Sequence, residues 1–184
     1  MNIRIYQVNM KRDTNNVAFM RYELLEKLQG SQSVDSKMYD KVFDGEKADR
    51  VVMYNPDAIA QWIYQKYPTM FTQVKQQTDI EIPLCTVMPS VTPVCFATMY
   101  TGAQPAVHGI QSYTKPVLQI DTLFDALIRS GKKAAIVSTS GDSMSKIFLE
   151  RNMDYFFYDT VEQVNAKACE LILRDQHDFI AVYN

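Results

Sequence analysis

Residues 134–184, AAIVSTSGDSMSKIFLERNMDYFFYDTVEQVNAKACELILRDQHDFIAVYN, set the short apolar runs AAIVST, YFFYD and FIAVYN against the helical stretches SMSKIFLERN and TVEQVNAKACELILRD. Short apolar runs that alternate with helices are the pattern of a parallel sheet covered by its own crossover connections. Toward the N-terminus the same rhythm continues through DTLFDALIRSGKK, VCFATMY, IPLCTVM and DAIAQWIYQKY to RVVMYN, which begins at Arg50. The expected fold class is α/β, a mostly parallel sheet with flanking helices. Asp121 before LFDALI and Thr160 before VEQV read as N-caps, and Gly131 closes the first of these helices.

Upstream of Arg50 the texture changes. SQSVDSKMYDKVFDGEKADR is polar and turn-rich, with a turn expected at Asp44-Gly45. Before it, Ile3, Ile5 and Val8 suggest a short edge strand, and Val17 to Leu28 a helix that stops at Gly30. The expected organisation is therefore a small N-terminal α+β segment, residues 1–47, followed by an α/β unit, residues 48–184.

Composition bounds the function classes. With 47% hydrophobic and 22% charged residues among 184, the chain is too apolar for a disordered tail. A formal net charge of -2 supplies no basic field, so neither nucleic acid nor acidic lipid is an expected partner. Cys85, Cys95 and Cys169 are scattered and form no CxxC pair, which fits neither a disulfide framework nor a zinc ribbon. The opening MNIRIYQVNMKRD has no continuous apolar run, and no segment approaches the roughly 20 apolar residues of a membrane span. A reducing cytoplasm is the expected location.

In an open parallel sheet, ligands collect beyond the carboxyl ends of the strands. Asp57 after RVVMYNP, Thr92 after IPLCTVMPSV and Asn184 after FIAVY fall there. Thr92 opens the helical part of PSVTPVCFATMYTGAQPAVHGI, residues 89–110. A hydroxyl at a strand-to-helix junction faces the positive end of the helix dipole, which favours phosphate. Such a threonine becomes a nucleophile when something lowers the cost of its ionisation, as a metal ion does for an alkoxide. From local chemistry the alternative is open: Thr92 is a plain N-cap with Pro93 at the first helical position.

The whole stretch resembles the nucleophile motif of the alkaline phosphatase superfamily, in the type I phosphodiesterase and nucleotide pyrophosphatase branch with its phosphonoacetate hydrolase relatives. Thr92 corresponds to the nucleophile, Thr101 and Gly102 to the end of the following helix, and Pro105, His108, Gly109 and Ile110 to the downstream element. The resemblance runs from about Arg50 to Asn184 and implies the N-terminal part of such a domain. It implies a metal-dependent phosphoric ester hydrolase acting on a small phosphate ester, with Thr92 as nucleophile and two divalent ions, zinc or manganese. Asp57, with Ala58 in place of the usual glycine, and Thr92 would be metal ligands; capping of the helix after Asp57 is the alternative for that residue. Cys95 and Phe96 stand where the family often has an oxyanion-binding asparagine, and a thiol is a poor substitute for an amide. Cys95 reads as a buried helix residue, His108 as a structural histidine holding the loop, and His177 as a solvated loop histidine.

A two-metal hydrolase needs several aspartates and histidines. In the resembled family most of them follow the strand that FIAVYN represents, and the chain ends there. The expectation is an incomplete domain, a fragment or truncated frame, inactive as an isolated chain, with an exposed sheet edge that invites homo-oligomers. Met1 to Glu46, with IYQVN, VAFM and YDKVFDGE, resembles the opening of YodL-like domains found in proteins of bacterial mobile elements. The second functional reading is accordingly a non-catalytic fusion of two partial modules that acts through protein contacts.

Overall fold

A computed structural model of the chain describes residues 5–11 and 50–184. The expected helix at Val17–Leu28, the turn at Asp44-Gly45 and most of the YodL-like stretch lie outside the described residues. Strand β1 (Ile5–Lys11) runs parallel to β3 (Thr78–Cys85) in a two-stranded sheet. Between them in sequence come β2 (Val51–Asn55), helix α1 (Gln61–Lys66), a 3-10 turn over Pro68–Phe71 and helix α2 (Thr72–Gln76). The run IPLCTVM thus forms a strand, but it pairs with β1 and not with the larger sheet into which the alternating rhythm would put it.

Downstream lie α3 (Thr92–Thr101), α4 (Pro105–His108), α5 (Leu123–Arg129), β4 (Ala134–Thr139), α6 (Met144–Ile147), β5 (Asp154–Tyr158), α7 (Val161–Arg174) and β6 (Phe179–Tyr183). The main sheet has four strands in the order β2-β6-β4-β5, and every neighbouring pair is parallel. β6 is central and buried along its whole length, as its unbroken apolar sequence FIAVY requires of a strand covered on both faces.

Alternate residues of β6 feed two cores. Phe179, Ala181 and Tyr183 face the larger core with α3, α5 and α6, while Ile180 and Val182 meet Val164, Ala168 and Leu171 of α7 on the other side. The molecule is therefore a helix–sheet–helix sandwich. α3 is buried from Pro93 to Thr101 and is apolar all round, the composition of a helix enclosed by protein. Its Tyr100 stacks on Phe124 at 5.0 Å and meets Phe148 at 4.9 Å, and Phe124 continues the cluster to Phe179 at 5.9 Å. Geometries of this kind contribute about 0.5–1.5 kcal/mol per pair beyond the area they bury.

The caps show which sequence signals acted. Thr160 caps α7 in a capping box with Gln163, as expected. α5 is capped by Thr122 with Asp125, not by Asp121, whose carboxylate instead pairs with Arg129 at 3.0 Å. The reason lies in the spacing: Thr122 stands three residues before an acid that can bond back to its backbone N–H, at 2.8 Å. Gly131, just past the helix end, adopts φ 70 as a terminating glycine should. Arg50 closes the far end of α7, donating to the carbonyls of Leu171, Ile172 and His177 at 2.7–2.9 Å.

Among the described residues Arg151 is the most deeply committed cation. Its side chain is 7% exposed and binds Asp125 Oδ2 at 3.0 Å, Thr122 Oγ1 at 3.2 Å and the carbonyls of Leu149 and Leu118 at 3.0 Å. Replacing it with alanine removes the cation beside a part-buried carboxylate and the donors to two carbonyls together. Arg151→Ala is expected to destabilise the chain by about 2–4 kcal/mol, read as a lowered urea midpoint at unchanged slope.

Candidate functional site

At the carboxyl end of the main sheet, the loops after β2 and β6 are joined by a hydrogen bond from the Asp57 N–H to the Asn184 carbonyl, 2.7 Å. Asp57 sits on an exposed turn, and Thr92, half-buried, begins α3. Neither residue caps a helix. The N-cap of α3 is Val91, and no side chain bonds its first turn; the N-cap of α1 is Ala60, again without a side-chain bond. The capping alternatives considered for Thr92 and Asp57 are thus set aside. α3 starts one residue early because Val91 already has the extended backbone of a cap, which makes Thr92 the first helical residue.

Both residues lie in the surroundings of Tyr183, the last residue of β6. Burial pushes the Tyr183 phenol up to about 12; Thr92 lowers it, and the negative charges of Asp57 and Asp142 add to the rise. Tyr183 therefore stays protonated across the physiological range. Its ring is 8% exposed and is held edge-on by Phe96 at 4.8 Å, so the hydroxyl is aimed by packing.

Asp142, on the loop after β4, is the second acid at this end. Its carboxylate accepts from the Ser145 N–H at 2.6 Å and from Thr139 Oγ1 at 3.0 Å, and burial raises it above the usual carboxylate range despite these bonds. Sequence reasoning singled out neither Tyr183 nor Asp142. The signal for both was the strand-end rule already applied to Asp57, Thr92 and Asn184. Asn184 itself turns its side chain to Asn165 at 2.6 Å and to the Tyr54 hydroxyl at 3.0 Å, so only its carbonyl serves the site.

The family's oxyanion-binding amide has no counterpart at Cys95 and Phe96. Cys95 is buried, and desolvation pushes its thiol up to about 11, the behaviour of a packing residue. His108 is buried beside the helix end: its Nδ1 accepts from the Ile110 N–H at 3.1 Å, which leaves Nε2–H to donate to Thr98 Oγ1 at 3.0 Å. It holds the loop as a neutral ring. His177 departs from expectation. It is 6% exposed, not solvated, because Nε2 pairs with Asp154 at 2.7 Å under the start of β5.

Both histidines are thus engaged away from Thr92, and among the described residues no group of three or more His, Cys, Asp and Glu side chains can hold a metal ion. One exposed carboxylate and one hydroxyl do not neutralise and fix two divalent cations, so the described residues do not fit a two-metal centre. Nor, among them, is any helix long and apolar enough to cross a membrane.

Residues 42–129 match the family model of type I phosphodiesterase / nucleotide pyrophosphatase, a little under half of the chain. The matched stretch contains Asp57, Thr92 and the whole of α3 and α4, and begins a few residues before the boundary placed at residues 47 and 48. No curated protein and no solved structure matches the chain.

Two measurements follow from this geometry. Ala58, where the family has glycine, adopts φ 56, a left-handed backbone that costs an L-residue roughly 1–2 kcal/mol. Ala58→Gly is expected to be neutral or to stabilise by up to about 1 kcal/mol in thermal unfolding, the freer unfolded chain offsetting part of the gain. For His108, burial lowers the folded-state pKa below its ordinary value. The unfolded chain then binds the proton more readily, so this contribution is fully present above about pH 6.5 and is lost as pH falls toward the lower folded value. His108→Gln should flatten the wild-type decline in stability below that pH, as seen by urea titration at a series of pH values.

Proposed function

We propose that the chain carries the nucleophile-bearing part of a phosphoric ester hydrolase of the type I phosphodiesterase and nucleotide pyrophosphatase kind, with Thr92 attacking phosphorus. The observation that carries this reading is the withdrawal of Thr92 and Asp57 from helix capping at the carboxyl end of the main sheet. A threonine that merely began a helix would spend its oxygen on the first-turn N–H groups. This one leaves that turn to the helix dipole and to an incoming anion, while its own hydroxyl stays at the rim of the sheet.

The match over residues 42–129 supports the same reading, since it spans the nucleophile motif. A phosphate ester would lie with its anionic oxygens toward the start of α3 and its phosphorus near Thr92 Oγ1. Asp57, at the same end of the sheet, would contribute a carboxylate to holding a cation that favours ionisation of Thr92. Zinc or manganese, bound in the family by further carboxylates and imidazoles, would need ligands beyond those described, for instance from a second copy joined along the sheet edge. Such an ion would supply Lewis acidity at the phosphoryl oxygens.

The test is release of nitrophenolate from bis(4-nitrophenyl) phosphate and 4-nitrophenyl phosphate by the purified chain, with and without added zinc or manganese, beside Thr92→Ala. The expected result is release that the substitution reduces at least about 100-fold, the scale of losing a nucleophile, with phosphorylated Thr92 detected by peptide mass spectrometry. Equal rates in two folded proteins would overturn the reading. That result would leave the second one, a non-catalytic scaffold acting through protein contacts, which the lack of a metal-binding cluster among the described residues favours.

A further inference from the structure

We infer that β5 is the interface strand of a two-fold homodimer, in which its outer edge pairs antiparallel with β5 of a second copy, Phe156 opposite Phe156. The inference stands apart from the reading of Thr92 as nucleophile.

The main sheet has two outer strands, β2 and β5. β5 gives one side to β4 from Asp154 to Tyr158, and among the described residues its other side pairs with no strand. An unpaired strand edge is a template for another strand, and proteins that stay apart blunt it with lysine, proline or a bulge. β5 has none of these. Its sequence is DYFFY, its register against β4 runs without a break, and its one charge is Asp154 at the start. β2 is the poorer template, because Pro56 follows it directly and has no N–H to give.

Symmetry then fixes the pairing. A two-fold axis perpendicular to a continuous sheet keeps every side chain on its own face, and residues opposite each other share a face. The residue number opposite any position therefore has the same parity, so the axis sets one residue against its own copy and never falls between two. Full overlap of the five residues makes that residue Phe156, whereas a centre at Tyr155 or Phe157 shortens the overlap to three. With Phe156 at the centre, Tyr155 stands opposite Phe157 of the second copy, and Asp154 opposite Tyr158. No like charges face each other. Each carboxylate meets a phenol, a group that can donate to it, and the remaining pairs are aromatic, which favours strand pairing.

The edge is also prepared for this contact. The four rings of β5 are half-buried, so each keeps some surface for a partner to cover. They are already held: the Tyr155 hydroxyl donates to the Phe148 carbonyl at 2.9 Å, the Tyr155 and Phe157 rings lie 5.8 Å apart, and Phe156 lies under the Lys167 ammonium at 4.5 Å. Little side-chain freedom is left to lose on association. Lys167 is itself paired with Glu170 at 3.0 Å, so two copies do not bring bare ammonium groups together at the axis. The dimer joins two four-stranded sheets through β5 and leaves β2, with Asp57 after it, at the far edge of each half. A copy that lent metal ligands to that end would have to approach by another surface.

Three measurements on the whole chain test the dimer. Sedimentation equilibrium is expected to give twice the chain mass at about 10–100 µM. A monomer throughout that range overturns the inference, and so does open-ended growth into larger species, because a two-fold contact closes on itself. The register is read by double electron–electron resonance on Cys169→Ser/Asp159→Cys, spin-labelled at the exposed position just past β5, with labelled Cys169→Ser as background. Pairing centred on Phe156 sets the two labelled backbones six residues apart along the strands, roughly 20 Å at about 3.3 Å per residue. A separation within about 10 Å of that value is expected, and a dimer outside it has its interface elsewhere and overturns the inference. Finally, Tyr158→Asp sets a carboxylate opposite Asp154 of the second copy. It is expected to weaken dimerisation at least about tenfold with an unchanged circular dichroism spectrum, and undiminished dimerisation of the folded variant overturns the inference.

Discussion

The burial of β6 on both faces is the constraint from which the rest of the site follows. Five consecutive residues, Phe179 to Tyr183, are enclosed between α3 and α7, with β2 and β4 paired on either side. Because side chains alternate, the register that sends Phe179 and Ala181 into the aromatic core also sends Tyr183 to the same face, at the end where the core opens to solvent. A slip by one residue would move Ile180 and Val182 into the place of Phe179 and Ala181 and turn Tyr183 toward α7. The Tyr183 ring is therefore positioned by hydrophobic packing over the length of a strand, and not by local hydrogen bonding.

Local propensity and site geometry compete where the site is built. Thr92 and Asp57 are both residue types that cap helices well, and both precede helices. Their helices nevertheless start without side-chain caps, at Val91 and Ala60. Forgoing a cap costs on the order of 1 kcal/mol each, and Ala58 at positive φ adds a similar burden beside Asp57. Such deficits are bearable because the interior is well joined: Tyr100, Phe124, Phe148 and Phe179 form one contiguous cluster, and Arg151 ties the start of α5 to the loops that flank it. Local rules broken together at one end of a sheet are what a functional site produces.

The sequence made the α/β class readable because β4, β5 and β6 are short apolar runs divided by turn residues and helices, and the capping box at Thr160 is a local signal with a local cause. What it hid depended on distant partners. Asp121 and Thr122 are both good caps, and only the return bond from Asp125 selects between them. His177 reads as a loop residue until β5 brings Asp154 beneath it. IPLCTVM has the texture of any parallel strand, and nothing local tells which sheet receives it. Tyr183 is the most instructive case: a tyrosine ending an apolar run reads as core, as its ring is, and its place at the sheet end shared with Asp57 and Thr92 emerges only when β2 and α3 are set beside β6.

The motif and the residue inventory point in different directions, and the geometry reconciles them. The match over residues 42–129 to the type I phosphodiesterase family model includes Thr92 and the helix α3 that it begins. A metal centre of that family needs imidazoles, yet His108 is consumed by the loop it closes and His177 by Asp154. What the described residues do bring to one end of the sheet is the Thr92 hydroxyl, the Asp57 carboxylate and the Tyr183 phenol. Such a set offers little to the negative charge of a phosphoryl group beyond the dipole of α3. Positive charge is therefore what this sheet end lacks for holding a phosphoryl group: near the start of α3 it would have to come from a cation or from another polypeptide, because the described residues place only acids and hydroxyls there.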